Sequence, residues 1–226
     1  MASSLSETPW WEAVDHRPLA LRMPWPSLEG KRCLDIGTAD GFWAFEMERR
    51  GAADVLATDL ATPFARSARN RLEQVREEIG SRVRYEERGV FELEGEFDFA
   101  FMGYVLQMVT DPIGALESVR RVSKQLLLLD TVSLPLSFLP SPLARLEARR
   151  DGREWFVFNP RGMRKVVELA GWTVEAQTGI LQIVEKRLIE GAHQTLGRAG
   201  ATEIRYGDQR LLRADDLNDD RIFLRK

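Results

Sequence analysis

Residues 33–42 read Cys33-Leu34-Asp35-Ile36-Gly37-Thr38-Ala39-Asp40-Gly41-Phe42, and residues 55–60 follow with Val55-Leu56-Ala57-Thr58-Asp59-Leu60. The first run belongs to a buried strand from Lys31 to Ile36 that breaks into a turn carrying Gly37 and Gly41. A helix from Gly41 to Arg50 comes next, because Phe42 with Phe45 and Trp43 with Met47 recur at helical spacing, and Gly51 stops it. The second run is a strand, Val55 to Thr58, that closes on a carboxylate. Strand, glycine turn, helix and a second strand ending in an acidic residue is the arrangement that holds nucleoside-containing cofactors.

Outward from this core, Thr62 to Ile79 has helical period with many charges and ends at Gly80. Arg82 to Glu86 forms a short third strand and Phe97 to Met102 a fourth. Asp111 as N-cap and Pro112 as first helical residue open a helix to Val122. Gln125 to Leu129 is the continuous apolar run of a strand covered on both faces. Strands alternating with crossover helices predict an α/β fold, with a Rossmann-like, mostly parallel sheet and helices on both faces. Residues 131–158 hold Pro135, Pro140 and Pro142 with Phe138, Trp155, Phe156 and Phe158. They exceed the usual connection of roughly 4–6 residues and are expected to form a lid or substrate wall. Asn159 and Pro160 open a helix to Ala170, Gly171 ends it, and Trp172 to Ala176 resumes as strand. Asp219 to Lys226 offers a last strand, while residues 185–218 carry no clear pattern. One domain over residues 1–226 is expected, with residues 1–28 as an N-terminal cap.

The details of the turn select the cofactor. A dinucleotide fingerprint starting at Gly37 needs glycine where Ala39 and Phe42 stand. Asp40 would also face the pyrophosphate at the helix N-terminus, where like charges repel. No Gly-x-x-x-x-Gly-Lys-Ser/Thr stretch exists for a P-loop. S-adenosylmethionine removes the conflict: it has no phosphate, it is cationic, and it has a ribose diol. Asp35 would then orient the amino group, while Gly37 and Thr38 pass close to the cofactor beside Asp40 and Gly41. Asp59 would accept both ribose hydroxyls, with Leu60 following it. Gly89, Val90 and Phe91 would flank the adenine, and Met102 would lie at the end of the fourth strand.

The 226 residues are 44% apolar and 30% charged, enough for one large core. A net charge of −3 and a pI near 5.6 give no global field for nucleic acid or an anionic membrane. Of the 32 basic residues 27 are arginine, which reads as genomic base composition. No run approaches the ~20 apolar residues of a membrane span, and residues 1–30 lack a signal-peptide core, so a cytoplasmic location is expected. The single Cys33 forms no internal disulfide and reads as a core residue, and no metal site is expected.

The block Leu34 to Glu46, with Glu48-Arg49-Arg50-Gly51-Ala52, resembles the class I methyltransferases grouped with the tRNA wobble-uridine methyltransferases and carboxymethyltransferases. Phe97-Asp98-Phe99-Ala100-Phe101 through Asp111-Pro112, then Ala115-Leu116-Glu117 and Leu126 to Thr131, are similar to that family's fourth strand, next helix and fifth strand. Trp155 to Gly171 matches the helix before its sixth strand. The resemblance spans roughly residues 10–177 and implies a seven-stranded sheet with an antiparallel last strand. Gln107-Met108 stands where many relatives have Tyr-His.

Methyl transfer from a sulfonium requires alignment and exclusion of water more than a strong base. Tyr104, after the fourth strand, and Gln107 are the candidate substrate contacts. His16, in the segment with Trp10 and Trp11, is the candidate base, ahead of His193. Arg145, Arg149, Arg150 and Arg153 either meet an anion or form a solvated face. The leading expectation is a methyltransferase for a small molecule, such as a specialised metabolite or sugar. A tRNA-modifying enzyme, a cofactor-binding scaffold without catalysis, and an NAD-dependent oxidoreductase follow in that order, and the oligomeric state is left open.

Overall fold

The computed structural model describes residues 16, 20, 21, 23–146 and 155–177, with backbone strands at 205–206, 209–210 and 219–225. Trp10, Trp11, Arg149, Arg150, Arg153 and His193 lie outside the described residues. Strands β1 (Arg32–Ile36), β2 (Asp54–Asp59), β3 (Arg84–Glu87), β4 (Phe99–Gly103) and β5 (Gln125–Thr131) run parallel in the order β3-β2-β1-β4-β5. Helices α1 (Phe42–Arg49), α2 (Pro63–Ile79) and α3 (Pro112–Val122) make the crossovers. Both β1 and β4 sit at the centre, so the ends of these two strands are flanked by β2 on one side and β5 on the other.

The side-chain period of two sorts each strand between two cores. Leu34, Ile36, Ala100, Met102, Leu126 and Leu128 face α3 and a later helix. Cys33, Phe99, Phe101, Leu127 and Leu129 face the other way, against Trp43, Ala44 and Met47 of α1 and Leu72 of α2. Phe99 and Phe101 are fully buried, each contributing roughly 1.5–3 kcal/mol by removing apolar surface from water. The Cys33 thiol is pushed up to about 12, by burial first, and is an inert core group as its sequence setting implies.

Two strands start later than expected, for local reasons. Ser81 and Arg82 are held by the Glu48 carboxylate, through the Ser81 hydroxyl at 2.5 Å and the Arg82 amide at 2.8 Å, so β3 begins at Arg84. Phe97 forms only an isolated bridge to Ser123, while Asp98 accepts from the Arg32 amide and the Lys124 ammonium.

The stretch after β5 contains structure of its own. A short helix α4 (Leu134–Ser137) and strand β6 (Ala144–Leu146) precede β7 (Phe156–Phe158), which pairs antiparallel with β6. Helix α5 (Pro160–Leu169) and β8 (Thr173–Gln177) follow. Strands β9 (Arg205–Tyr206) and β10 (Gln209–Arg210) form a separate pair, and β11 (Asp219–Arg225) pairs antiparallel with β5 and with β8. Among the described residues no helix is long and apolar enough to cross a membrane.

Asn159 ties the connection down. Its Oδ1 accepts from the amides of Gly162 at 2.7 Å and Leu143 at 3.0 Å, and its Nδ2 donates to the carbonyls of Leu136 at 3.0 Å and Ser141 at 2.9 Å. One wholly buried amide thus caps α5 and fixes residues 136–143 to it. Asn159→Ala should lower unfolding free energy by about 2–4 kcal/mol, since it strips a helix cap and orphans buried partners; urea unfolding followed by circular dichroism measures it, and an unchanged midpoint would contradict this account.

Candidate functional site

The turn between β1 and α1 is built by three residues in the left-handed region: Gly37 (φ 70), Ala39 (φ 48) and Gly41 (φ 87). The amides of Gly37 and Thr38 both donate to the Thr58 carbonyl, at 2.9 and 3.0 Å, so the turn folds back onto the end of β2. A Cβ on Gly37 would collide with the Val105 side chain, and one on Gly41 would meet Leu72 and Phe45. These contacts, together with the backbone angles, are why glycine stands at both positions.

Three carboxylates surround this turn. Asp35 is 1% exposed. Its Oδ2 accepts from the Thr38 hydroxyl at 2.7 Å, while Oδ1 closes no hydrogen bond of ordinary geometry. Burial pushes its pKa up to about 7; the Thr38 hydroxyl and the nearby Ala44 amide oppose this, and the Asp59 and Asp40 charges add to it. Asp59 accepts from the Ala39 amide at 2.9 Å through Oδ2 and from the Leu60 amide at 2.8 Å through Oδ1. Burial raises its pKa too, against the pull of those two amides. Asp40 accepts from the Phe42 amide at 3.3 Å, at the start of α1. Asp59 therefore has a structural task that the sequence reading did not assign: it staples the turn to β2.

At the ends of β2 and β3 two large apolar side chains stand in solvent, Leu60 at 55% and Phe91 at 49% exposure. Gly89 lies between them in sequence, and its missing Cβ makes room for Leu60 Cδ2. Val90 points into the core instead, so only its backbone is available at the surface of the site. Met102 is likewise wholly buried in the core, and its side chain packs beneath the site without lining it.

The acceptor candidates fall into two groups. The His16 ring lies 5.3 Å from that of Phe42 and 5.4 Å from that of Trp43, and Tyr104 packs against the cluster that includes Trp43. Tyr104 is left-handed at φ 59, a strained state for a bulky residue, held by its amide donating to the Leu129 carbonyl at 2.7 Å. The second group is centred on Gln107, whose amide donates to Asp130 Oδ2 at 3.1 Å and whose carbonyl accepts from the Trp155 amide at 2.8 Å.

Of the aromatics after β5, Phe158 is core and Phe156 packs against it, whereas Trp155 is half-buried. Arg145 is exposed on β6. Asp130 and Ser133 were missed by the sequence reading. Asp130 ends the apolar run Leu126-Leu127-Leu128-Leu129, which is the same signal, a carboxylate closing a doubly covered strand, that selected Asp59. Among the described residues no group of His, Cys, Asp and Glu could hold a metal ion.

What the turn can hold follows from its charge. Three carboxylates around one turn, one of them buried, repel a phosphate and favour a cation. Exposed Leu60 and Phe91 offer a clip for a flat ring. A cationic, phosphate-free nucleoside fits both features.

Comparison with known proteins agrees. A family profile described as a methyltransferase domain matches residues 11–177. The ubiquinone biosynthesis O-methyltransferase of Acinetobacter baylyi is 31% identical over 129 residues, 51% of this chain and 52% of that protein, so the chain spans about half the length of this curated relative. Among solved structures, a 1,6-didemethyltoxoflavin-N1-methyltransferase from Burkholderia thailandensis, with S-adenosylhomocysteine bound, superimposes with a TM-score of 0.64 at 17% identity, over 96% of this chain and 80% of that one. An S-adenosylmethionine-dependent methyltransferase from Mesorhizobium loti gives 0.61 at 15% identity, over 95% and 99%. At such identities the likeness is one of fold, while the profile covers most of the sequence: the chain belongs to the methyltransferase domain family and has the Rossmann-like, mostly parallel fold of the class I S-adenosylmethionine-dependent methyltransferases.

Proposed function

We propose that the protein transfers a methyl group from S-adenosylmethionine to a small-molecule acceptor. The observation that carries this reading is the carboxylate-lined turn, above all Asp35, wholly buried beside Asp59. A small acceptor is supported by the net charge of −3, which supplies no attraction for nucleic acid. It also accords with the names of the relatives, which act in ubiquinone biosynthesis and on 1,6-didemethyltoxoflavin.

When bound, S-adenosylmethionine supplies an electrophilic methyl group on a positively charged sulfur. Asp35, held by Thr38, would orient the amino group, with Asp40 adding negative charge. Gly37 and Gly41 keep the turn clear of side chains. Each Asp59 oxygen already accepts one amide and retains capacity for a ribose hydroxyl. Leu60, Phe91, Gly89 and the Val90 backbone would enclose the adenine.

On the acceptor side, Tyr104, Gln107 and His16 would contact the substrate, with residues 131–158 as one wall and residues 1–28 as a cap on a single domain. We read the sheet as the seven-stranded form, with β11 as its antiparallel member. Methyl transfer of this kind depends on aligning the acceptor atom and excluding water.

Incubation with cofactor tritiated in the methyl group, alongside bulk tRNA or a metabolite extract, tests the reading: label is expected in the small-molecule pool. Label in RNA would overturn the small-molecule assignment, and none in either pool would favour a scaffold role. In calorimetry, Asp59→Ala should weaken cofactor affinity by about 1.5–3 kcal/mol; unchanged affinity would show that the ribose lies elsewhere.

The sign of the Asp35 effect is also fixed. Its carboxyl, at about 7 in the free protein, exceeds its unfolded value of roughly 3.9, so its contribution to stability is full below the unfolded value and lost as pH rises toward 7. A cation beside it favours the ionised form. Binding should therefore release a proton below pH about 7, and affinity should rise with pH until that point. Asp35→Asn should abolish both effects, as read by calorimetry in buffers of different ionisation enthalpy.

A further inference from the structure

Two buried oxygens at the carboxyl edge of the sheet have no hydrogen-bond partner and no part in the cofactor contacts above: Gln107 Oε1 and Ser133 Oγ. Gln107 is 7% exposed and Ser133 is 3% exposed. The backbone is fixed at both positions. The Gln107 amide donates to Asp130 Oδ2 and its carbonyl accepts from the Trp155 amide, while the Ser133 amide donates to the Phe158 carbonyl at 2.8 Å. Both residues thus attach to one stretch, Trp155 to Phe158.

A buried oxygen left unpaired costs as much as a hydrogen bond that was never made, and such atoms in a folded protein call for an explanation. Removing the polar group would be the cheaper solution for the fold alone. Gln107 follows β4 and Ser133 follows β5, on the side of the sheet where the turn and Asp59 lie, and ligands of open α/β sheets bind outside the carboxyl ends of the strands. The amide oxygen is a pure acceptor, and the hydroxyl can accept as well. The partner missing at Gln107 is therefore a donor, whereas Ser133 can meet a hydroxyl oxygen from either side.

We propose that Gln107 Oε1 and Ser133 Oγ form the acceptor-recognition edge of the site and select a substrate that presents a hydroxyl group. This rests on the reading of the site as a methyltransferase centre and names the class of its substrate. Asp130 is a positioning residue: it fixes the Gln107 backbone and makes no contact with substrate. The edge recognises the hydroxyl through a neutral acceptor, so it discriminates against the methylated form of the same group, which has no proton to donate. Product would accordingly be held less tightly than substrate.

Phenol and anisole are the smallest matched pair differing by that proton, and ligand-observed NMR titration into the complex with S-adenosylhomocysteine compares them. Phenol should bind the wild type at least about fivefold more tightly than anisole. In Gln107→Leu the preference should shrink to within about twofold, with S-adenosylhomocysteine affinity unchanged and the melting temperature of the free protein unchanged or raised. Gln107→Glu, which keeps an acceptor, should keep the preference. Equal binding of the two probes to the wild type, no binding of either, or a preference that survives Gln107→Leu would overturn the proposal. Failure of the wild type to bind S-adenosylhomocysteine is a different result: it would reject the cofactor reading, and this one with it.

Discussion

The paired hydrogen bonds from Gly37 and Thr38 into the Thr58 carbonyl, reinforced by Asp59 reaching across to the Ala39 amide, are the constraint on which the site depends. They lock the first turn to the end of the second strand, so a chain reversal and a strand terminus become one rigid unit. Strand pairing alone sets β1 beside β2; the lock adds the turn, so that Asp40 is held near Asp59 as Asp35 is. The three are held close enough that the charge on Asp59 raises the pKa of Asp35. The geometry therefore concentrates negative potential where a cationic cofactor would neutralise it, and the free protein carries the unfavourable energy of that concentration.

A division of labour follows from the sheet order. The ends of β1, β2 and β3 carry the carboxylates and the exposed Leu60 and Phe91, while the ends of β4 and β5 carry Tyr104, Gln107, Asp130 and Ser133. The first set is charged or apolar, suited to a fixed cationic nucleoside. The second is neutral apart from Asp130, whose Oδ2 accepts from a backbone amide. Because β1 and β4 are adjacent in the sheet, the two sets meet along a single line at the carboxyl ends of the strands.

Much of this was legible in the sequence because its causes are local. The alternation of Cys33 and Leu34, or of Phe99 and Ala100, sends successive side chains to opposite cores whatever the distant chain does. Asp111-Pro112 and Asn159-Pro160 cap their helices by short-range bonds to Gly114 and Gly162. The glycines at 37 and 41 declare a turn.

What escaped depends on partners far along the chain. That β3 waits until Arg84 is decided by Glu48, and that Val90 and Met102 face the core by the packing of α3 and α5. The strained Tyr104 is held by Leu129. Asp130 carried a local signal, the same one as Asp59, but its use in holding Gln107 emerges only when β4 and β5 are side by side.

Asn159 has a consequence for how such a protein diversifies. By fastening residues 136–143 to the start of α5, it separates the outer part of the acceptor wall from the sheet that carries the cofactor turn. Substitutions in the exposed positions between α4 and β6 would alter what the wall presents without passing through the sheet. A change at those positions can thus be absorbed in a surface appendage, while the turn between β1 and α1 keeps its shape.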